Sequence, residues 1–300
     1  MKTITPDLRL AVDADNYMSE TPIWHPEKEV LYWVNCEKPA ELHFWDPRSG
    51  ERRKWDMPER IGGFALKKSG GALIVLYSGL FDLDFESGEL TRRLQSPLPD
   101  HIAMHESMCD RQGRLWVGSF NQRVTKIDDL PPGGGHLFRL DGYDNLVPVL
   151  DDVSTSNGLA FSPDGRTMFH TDAITRTVDA YDLDPASGSV SNKRRIISLR
   201  PDEGIVDGAT VDSEGGYWAA IVLGGVIRRY LPDGTLDIEY KLPFSNPTKV
   251  SFGGLDLATL FITTTRMEVD GMEWEGAEMQ GGLFAFEPGF RGVPENLLNE

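Results

Sequence analysis

Six times along this 300-residue chain the same short grammar returns: a polar or small residue, an apolar strand, a turn, and a second apolar strand. The cleanest copy runs from Thr155 to Asp172. In it Leu159 and Phe161 alternate along a strand, Ser162-Pro163-Asp164-Gly165 supplies the turn, and a second strand begins at Met168. Proline pre-sets φ for the first turn position, and glycine takes the positive φ that closes the turn. Counting back eight positions from each turn aligns the copies on Glu20, Gly62, His105, Asn157, Asp207 and Thr248, at spacings of 42, 43, 52, 50 and 41 residues. A strand-and-turn repeat of roughly 40–50 residues is the signature of propeller blades. A four-stranded blade cannot bury both of its faces alone, so blades stack radially about a channel. The expectation is an all-β, six-bladed β-propeller forming one domain over residues 1–300, with the six aligned residues in a ring on the axis.

Such a ring gathers groups that no short motif would reveal. Glu20, Asn157 and Asp207 are three oxygen donors, two of them charged. Axial polar residues can simply hydrogen-bond one another and channel water, since buried polar atoms have to be satisfied. Two carboxylates converging on one axis, however, repel and raise each other's pKa unless a cation lies between them. With an amide carbonyl they form a hard-oxygen set suited to Ca²⁺, Mg²⁺ or Mn²⁺, and open to Zn²⁺. One divalent metal ion held by Glu20, Asn157 and Asp207 is therefore expected. His105 is a candidate fourth ligand, or a catalytic base titrating near neutrality. Gly62 leaves room but brings no chemistry. His25, His43 and His136 fall in turns or outer strands and read as structural, and His170 with Asp172 as at most supporting. Trp24, Phe64 and Phe161 follow period-two patterning and are expected to pack between blades.

The remainder of the chain fits one closed ring. Residues 3–12 alternate like a strand but precede the first blade, so they are expected to complete the last blade and remove its open edge. Two long insertions, Asn121 to Gly135 and Arg266 to Gln280, are expected to form a lid or pocket wall. A net charge of −17 argues against nucleic acid and anionic membrane surfaces as partners. The two cysteines, Cys36 and Cys109, read as reduced core residues of a cytoplasmic protein. No signal peptide is expected from the first residues, and no run of 18 apolar residues is present to span a membrane. A monomer or small homo-oligomer is expected.

The openings Glu20-Thr21-Pro22-Ile23-Trp24-His25-Pro26 and Ser156-Asn157-Gly158-Leu159-Ala160-Phe161-Ser162-Pro163-Asp164-Gly165 resemble the SMP-30/gluconolactonase/luciferin-regenerating family. So do Cys109 to Gly118, Asp207-Gly208-Ala209, and Phe252-Gly253-Gly254 with Phe261 to Thr265. The resemblance covers nearly the whole chain in order. It implies a six-bladed propeller that hydrolyses sugar-acid lactones at a divalent metal, and it places that metal on Glu20, Asn157 and Asp207. It further implies a base at Asp207, at His105 or at the metal itself. Family members that open aldonolactones resemble Arg-x-Asn-Asp-Gly ahead of the third turn, with Arg and Asn touching substrate. Here the stretch is Ala103-Met104-His105-Glu106-Ser107, so the guanidinium is gone and an imidazole replaces the amide. Where several members carry a Glu, this chain has Arg123. Substrate contacts are accordingly expected from His105, Glu106 and Arg123. A cation relocated to Arg123 would re-aim the pocket toward an acidic lactone, because a guanidinium binds a carboxylate or sulfonate bidentately. The alternative is a non-catalytic propeller that uses calcium as a structural plug and binds a small ligand or protein partner. A third reading is ester or phosphoester hydrolysis on the same scaffold.

Overall fold

The computed structural model describes residues 2–123, 133–267 and 276–300. It consists of six sheets arranged as blades. Blade one is built from Ser19–His25, Val30–Asn35, Glu41–Trp45 and Arg52–Asp56, and blade two from Ile61–Leu66, Ala72–Leu76, Gly79–Leu83 and Leu90–Gln95. Blade three comprises Ile102–Cys109, Leu115–Asn121, Gly135–Asp141 and Asn145–Val153. Blade four comprises Ser156–Phe161, Thr167–Asp172, Thr177–Leu183 and Val190–Ser198. Blade five follows with Ile205–Val211, Tyr217–Val222, Val226–Tyr230 and Leu236–Lys241. Blade six takes Pro247–Gly253, Thr259–Thr264 and Leu283–Phe286. The first strand of each blade is innermost, and these six strands contact one another around the axis. Parts of both long insertions, including Pro131, Pro132 and Trp274, lie outside the described residues.

Each blade buries both faces, and so its strands read as near-continuous apolar runs. The buried side chains form a separate cluster at every blade interface: Tyr32 and Phe64 between blades one and two, Val75 and Val117 between two and three, Trp116 and Phe161 between three and four. Phe169 and Tyr217, Trp218 and Ile262, and Phe261 and Trp24 continue the series around to the closure. Trp24, Phe64 and Phe161 thus pack between blades as their patterning indicates, each no more than 3% exposed. The turns are tied to this core by an aspartate that recurs with the repeat. Asp110 accepts the Trp116 indole N–H at 3.0 Å and Asp212 that of Trp218 at 2.8 Å, while each also accepts two backbone N–H groups of its own turn.

The N-terminal segment divides its work between two blades. Arg9–Val12 runs antiparallel to Leu283–Phe286 and completes blade six, as expected. Lys2–Ile4, by contrast, runs parallel to the outer strand of blade five, and so the stretch from residue 3 to 12 is not one strand. The reason lies in the edges. Outer strands of blades one, two and four expose Arg52-Arg53-Lys54, Arg92-Arg93 and Lys193-Arg194-Arg195, charges that blunt an open edge. The outer strand of blade five, Leu-Asp-Ile-Glu-Tyr-Lys, has no such basic run and buries Ile238 and Tyr240, so it requires a cover.

The chain after blade six crosses one end of the channel. Gly292 bridges to Asp212 and Leu298 to Lys67, and the amide of Asn299 donates to the Gly113 carbonyl. Both cysteines are buried and unpaired, and no helix among the described residues is long and apolar enough to cross a membrane.

Candidate active site

Every innermost strand breaks register at its axial residue. The ladder shifts between Glu20 and Ile23, Ile61 and Gly63, His105 and Ser107, Asn157 and Ala160, Val206 and Ala209, and Pro247 and Val250. Bulges re-aim side chains, and six of them at one level turn the ring residues toward the axis. Positive φ at Thr21, Glu106 and Gly158 marks the residue after the ring position in blades one, three and four. At Gly158 a side chain would meet the Tyr217 hydroxyl, which donates to the Gly158 carbonyl at 2.8 Å.

The ring opens into a cavity of about 250 Å³. Glu20, His105, Asn157, Asp207 and Thr248 all line it. Gly62 does not, because the backbone of Met104 and His105 fills the place where its Cβ would stand. The remaining wall is largely apolar, with Phe120, Ile174, Val206 and Met267 prominent.

The oxygen donors are held but left free toward the cavity. Glu20 Oε2 accepts the Thr21 amide at 2.9 Å, which fixes its carboxylate. The side chains of Asn157 and Asp207 make no hydrogen bond among the described residues. Asp172 accepts the amides of Ser154 and Thr155 at 2.9 and 3.0 Å, and so fixes the approach to Asn157. Burial pushes Glu20 up to about 7 against the pull of Lys249 and the Thr21 amide. Asp207 is raised well above the ordinary carboxylate range by burial first and by Glu20 next. Among the described residues no three His, Cys, Asp or Glu side chains converge as a metal site. This set has two carboxylates and draws its third donor from an amide. Two desolvated carboxylates, one of them raised further by the other, beside a free amide, fit a hard divalent cation.

His105 differs from expectation in its titration. Burial, then Arg60, then Lys249, push it down to about 3, so it is a neutral imidazole and does not titrate near neutrality. Its Nδ1 is buried without a partner. Glu106 does not line the cavity. It lies in the layer next to the ring, where Lys249 Nζ stands 3.2 Å away and the Leu159 amide donates to it at 3.3 Å. Arg123 is exposed just past Leu115–Asn121, donates its amide to Asn121 Oδ1 at 3.1 Å, and is absent from the cavity wall. Ala103 borders a neighbouring cleft with Tyr77 and Gln122. The histidines read as structural do hold structure: His43 stacks on Trp33 at 5.0 Å, and His25 Nδ1 accepts the Lys28 amide at 3.3 Å. His170 Nε2 lies 2.9 Å from Ser156 Oγ, beside Asn157.

Two functional residues escaped the sequence. Lys249 follows Thr248 and is swung inward by its bulge, a distortion with no sequence signal beyond the neighbouring glycines. Arg60 stands two positions before Gly62 and lines the cavity. The signal for it was available, since strand periodicity puts residues two before the ring on the same side. Met18, Thr155 and Ile205 occupy that position in their blades and line the cavity too.

A family model described as SMP-30/Gluconolactonase/LRE-like region matches residues 18–266. A 6-deoxy-6-sulfogluconolactonase of Pseudomonas putida is 34% identical over 97% of this chain and 98% of its own length. A pentonolactonase of Haloferax volcanii is 32% identical over 95% of each chain. The solved structure of a calcium-binding protein, regucalcin, from Agrobacterium tumefaciens superposes with a TM-score of 0.90 at 23% identity, covering 100% of both chains, which bears on the fold. By its match over most of the six blades, this chain belongs to the SMP-30/gluconolactonase/LRE-like family.

Proposed function

We propose that this protein is a metal-dependent hydrolase that opens sugar-acid lactones. The observation that carries the reading is the placement of Glu20, Asn157 and Asp207, from three different blades, on one cavity wall with oxygen atoms free to bind. Relatives named for sulfogluconolactone and pentonolactone support the substrate class.

Glu20, Asn157 and Asp207 would hold the ion. A divalent metal bound there supplies Lewis acidity toward the lactone carbonyl and positive charge for the developing oxyanion. Asp207 takes the proton of the attacking water, its carboxylate lining the cavity with no hydrogen bond to another described residue. His105 lines the same cavity and remains neutral beside that water. The water oxygen bonds to the carbonyl carbon, the ring C–O bond breaks, and the proton passes to the departing ring oxygen, leaving an open hydroxy acid. The apolar wall around Phe120, Ile174 and Val206 keeps bulk water out of this exchange.

Acid release from sugar lactones in the presence of Ca²⁺, Mg²⁺, Mn²⁺ or Zn²⁺ tests the reading, together with calorimetric metal binding. Asp207→Asn should cut kcat by about 100-fold or more and weaken metal binding. Because it removes one of two like charges, the metal-free variant should melt above the wild type yet gain little from added metal, whereas metal binding stabilises the wild type. Full activity of Asp207→Asn at limiting metal would remove the assignment. Tight metal binding with no lactone hydrolysed would favour a non-catalytic calcium-binding propeller.

A further inference from the structure

The cavity wall carries a guanidinium beside the three oxygen donors. Arg60 supplies it from just before the innermost strand of blade two, with its side chain 20% exposed. Among the described residues the nearest carboxylate is Glu37, 3.7 Å from Nη1, which is beyond hydrogen-bonding distance. Among the described residues Nη2 contacts only the weakly accepting sulfur of Met18 at 3.4 Å, and Nε is buried without a partner. The guanidinium is instead held by aromatic faces, 5.3 Å from the Tyr77 ring and 5.9 Å from that of Phe120.

Other polar atoms nearby are orphaned as well. Tyr77 Oη, His105 Nδ1 and Thr155 Oγ1 are buried with no hydrogen bond among the described residues. Unpaired buried polar atoms are uncommon in native proteins, and each calls for an explanation. Here three of the four, on Arg60, His105 and Thr155, belong to residues of one cavity wall, and the fourth is on Tyr77, whose ring carries the Arg60 guanidinium. A planar guanidinium preset by aromatic stacking, with donors unspent, is matched by an anion that accepts two parallel hydrogen bonds.

The position also explains the alanine in blade three. Ala103 stands two residues before His105, as Arg60 stands two before Gly62. Ala103 is the cross-strand partner of Phe120, and the Phe120 ring is one of the two that carry Arg60. Arg60 thus stands in the adjacent blade at the level of Ala103, whereas Arg123 is exposed and off the cavity wall.

We propose that Arg60 recognises a second anionic group on the lactone, so that the preferred substrate carries a carboxylate or sulfonate at the end of its carbon chain. This rests on the lactone-hydrolase reading and names its substrate class. The test compares kcat/KM for glucarolactone, a sulfonate-ended gluconolactone and gluconolactone itself. It uses the metal-loaded wild type, Arg60→Met, which keeps the volume between the two rings, and Arg60→Lys, which keeps charge without the fork.

The wild type should prefer one of the anionic lactones, and which one identifies the anion. The anionic-to-neutral ratio should fall by about 10- to 100-fold in Arg60→Met and recover in part in Arg60→Lys. A wild type that prefers gluconolactone overturns the proposal. So does an unchanged ratio in a variant that melts like the wild type.

Calorimetry with glucarate and gluconate separates this from failure of the lactonase reading. If no lactone is hydrolysed but glucarate binds more tightly than gluconate, and Arg60→Met or Arg60→Lys erodes the difference, the anion site stands and the reaction does not. Equal affinities for the two acids overturn the anion site.

Discussion

Lys249 Nζ lies 3.2 Å from Glu106 Oε1, with 4% and 3% of the two side chains exposed. The residues come from blades six and three, on opposite sides of the ring, so the pair spans the axis in the layer next to Glu20, Asn157 and Asp207. Gly208 makes this possible, because a Cβ there would overlap the Lys249 stem. Burial works to lower the lysine pKa, but Glu106 and Glu20 outweigh it and the ammonium stays charged. That charge in turn opposes the rise of Glu20 and Asp207.

Breaking such a pair from one side leaves a buried charge uncompensated, which typically costs about 3–5 kcal/mol. Lys249→Met should therefore destabilise the protein by that order in urea unfolding, and Lys249→Met/Glu106→Gln should recover most of it. The single variant has a signed pH dependence. Burial raises Glu106 above its ordinary value, and without Lys249 it rises further. A carboxyl whose folded pKa lies above its unfolded one contributes stability at low pH and loses it as pH rises through the folded value. The deficit of Lys249→Met should thus be smaller at pH 5 than at pH 8. A pH-independent deficit would mean that Glu106 is solvated in the variant.

The ring was legible in the sequence because one offset is conserved within the chain itself. The turn glycines Gly70, Gly113, Gly165 and Gly215 all have positive φ, and counting back eight residues from such a turn reaches the axis. Glu20, Asn157 and Asp207 emerge from that count without any alignment. The bulges that aim them were not legible, since a register shift is a property of two strands and leaves at most a glycine behind. Lys249 was lost for that reason, and Glu106, expected at the substrate, is turned instead toward Lys249, as each is the residue displaced by its bulge. Arg123 lies off the described cavity wall, at the start of a loop whose sequence fixes no direction for a side chain. The split of the N-terminal segment followed from edge chemistry in blade five, which is visible only when the outer strands are compared.

That split gives a graded truncation. Removing residues 2–12 strips both strands and bares the apolar edge at Leu283–Phe286, and an open apolar edge templates association. Removing only residues 2–6 uncovers blade five but leaves Arg9–Val12 closing blade six. Light scattering should show the longer deletion forming oligomers or aggregates, and the shorter one retaining the wild-type oligomeric state with a lower melting temperature. Equal behaviour of the two would place the closure elsewhere.

His170 sets a limit on acid tolerance. It lies on the second strand of blade four, 4% exposed, with Nε2 2.9 Å from Ser156 Oγ. Burial, outweighing the opposing pull of Asp179, pushes its pKa down to about 4, whereas the unfolded chain returns it to about 6.5. Because the folded value is depressed, the unfolded state binds the proton first as pH falls. Stability from this residue is therefore complete above pH 6.5 and is lost progressively between 6.5 and 4. At about 1.4 kcal/mol per pH unit, the loss approaches roughly 3 kcal/mol. His43 and His105 are depressed in the same direction, so the wild type should lose stability steeply in this window. Glutamine cannot titrate but can still hydrogen-bond Ser156, so His170→Gln should match the wild type near pH 8 and fall off less steeply toward pH 5. Urea unfolding at a series of pH values reads the difference. Parallel curves for the two proteins would show that His170 already takes up its proton in the folded state.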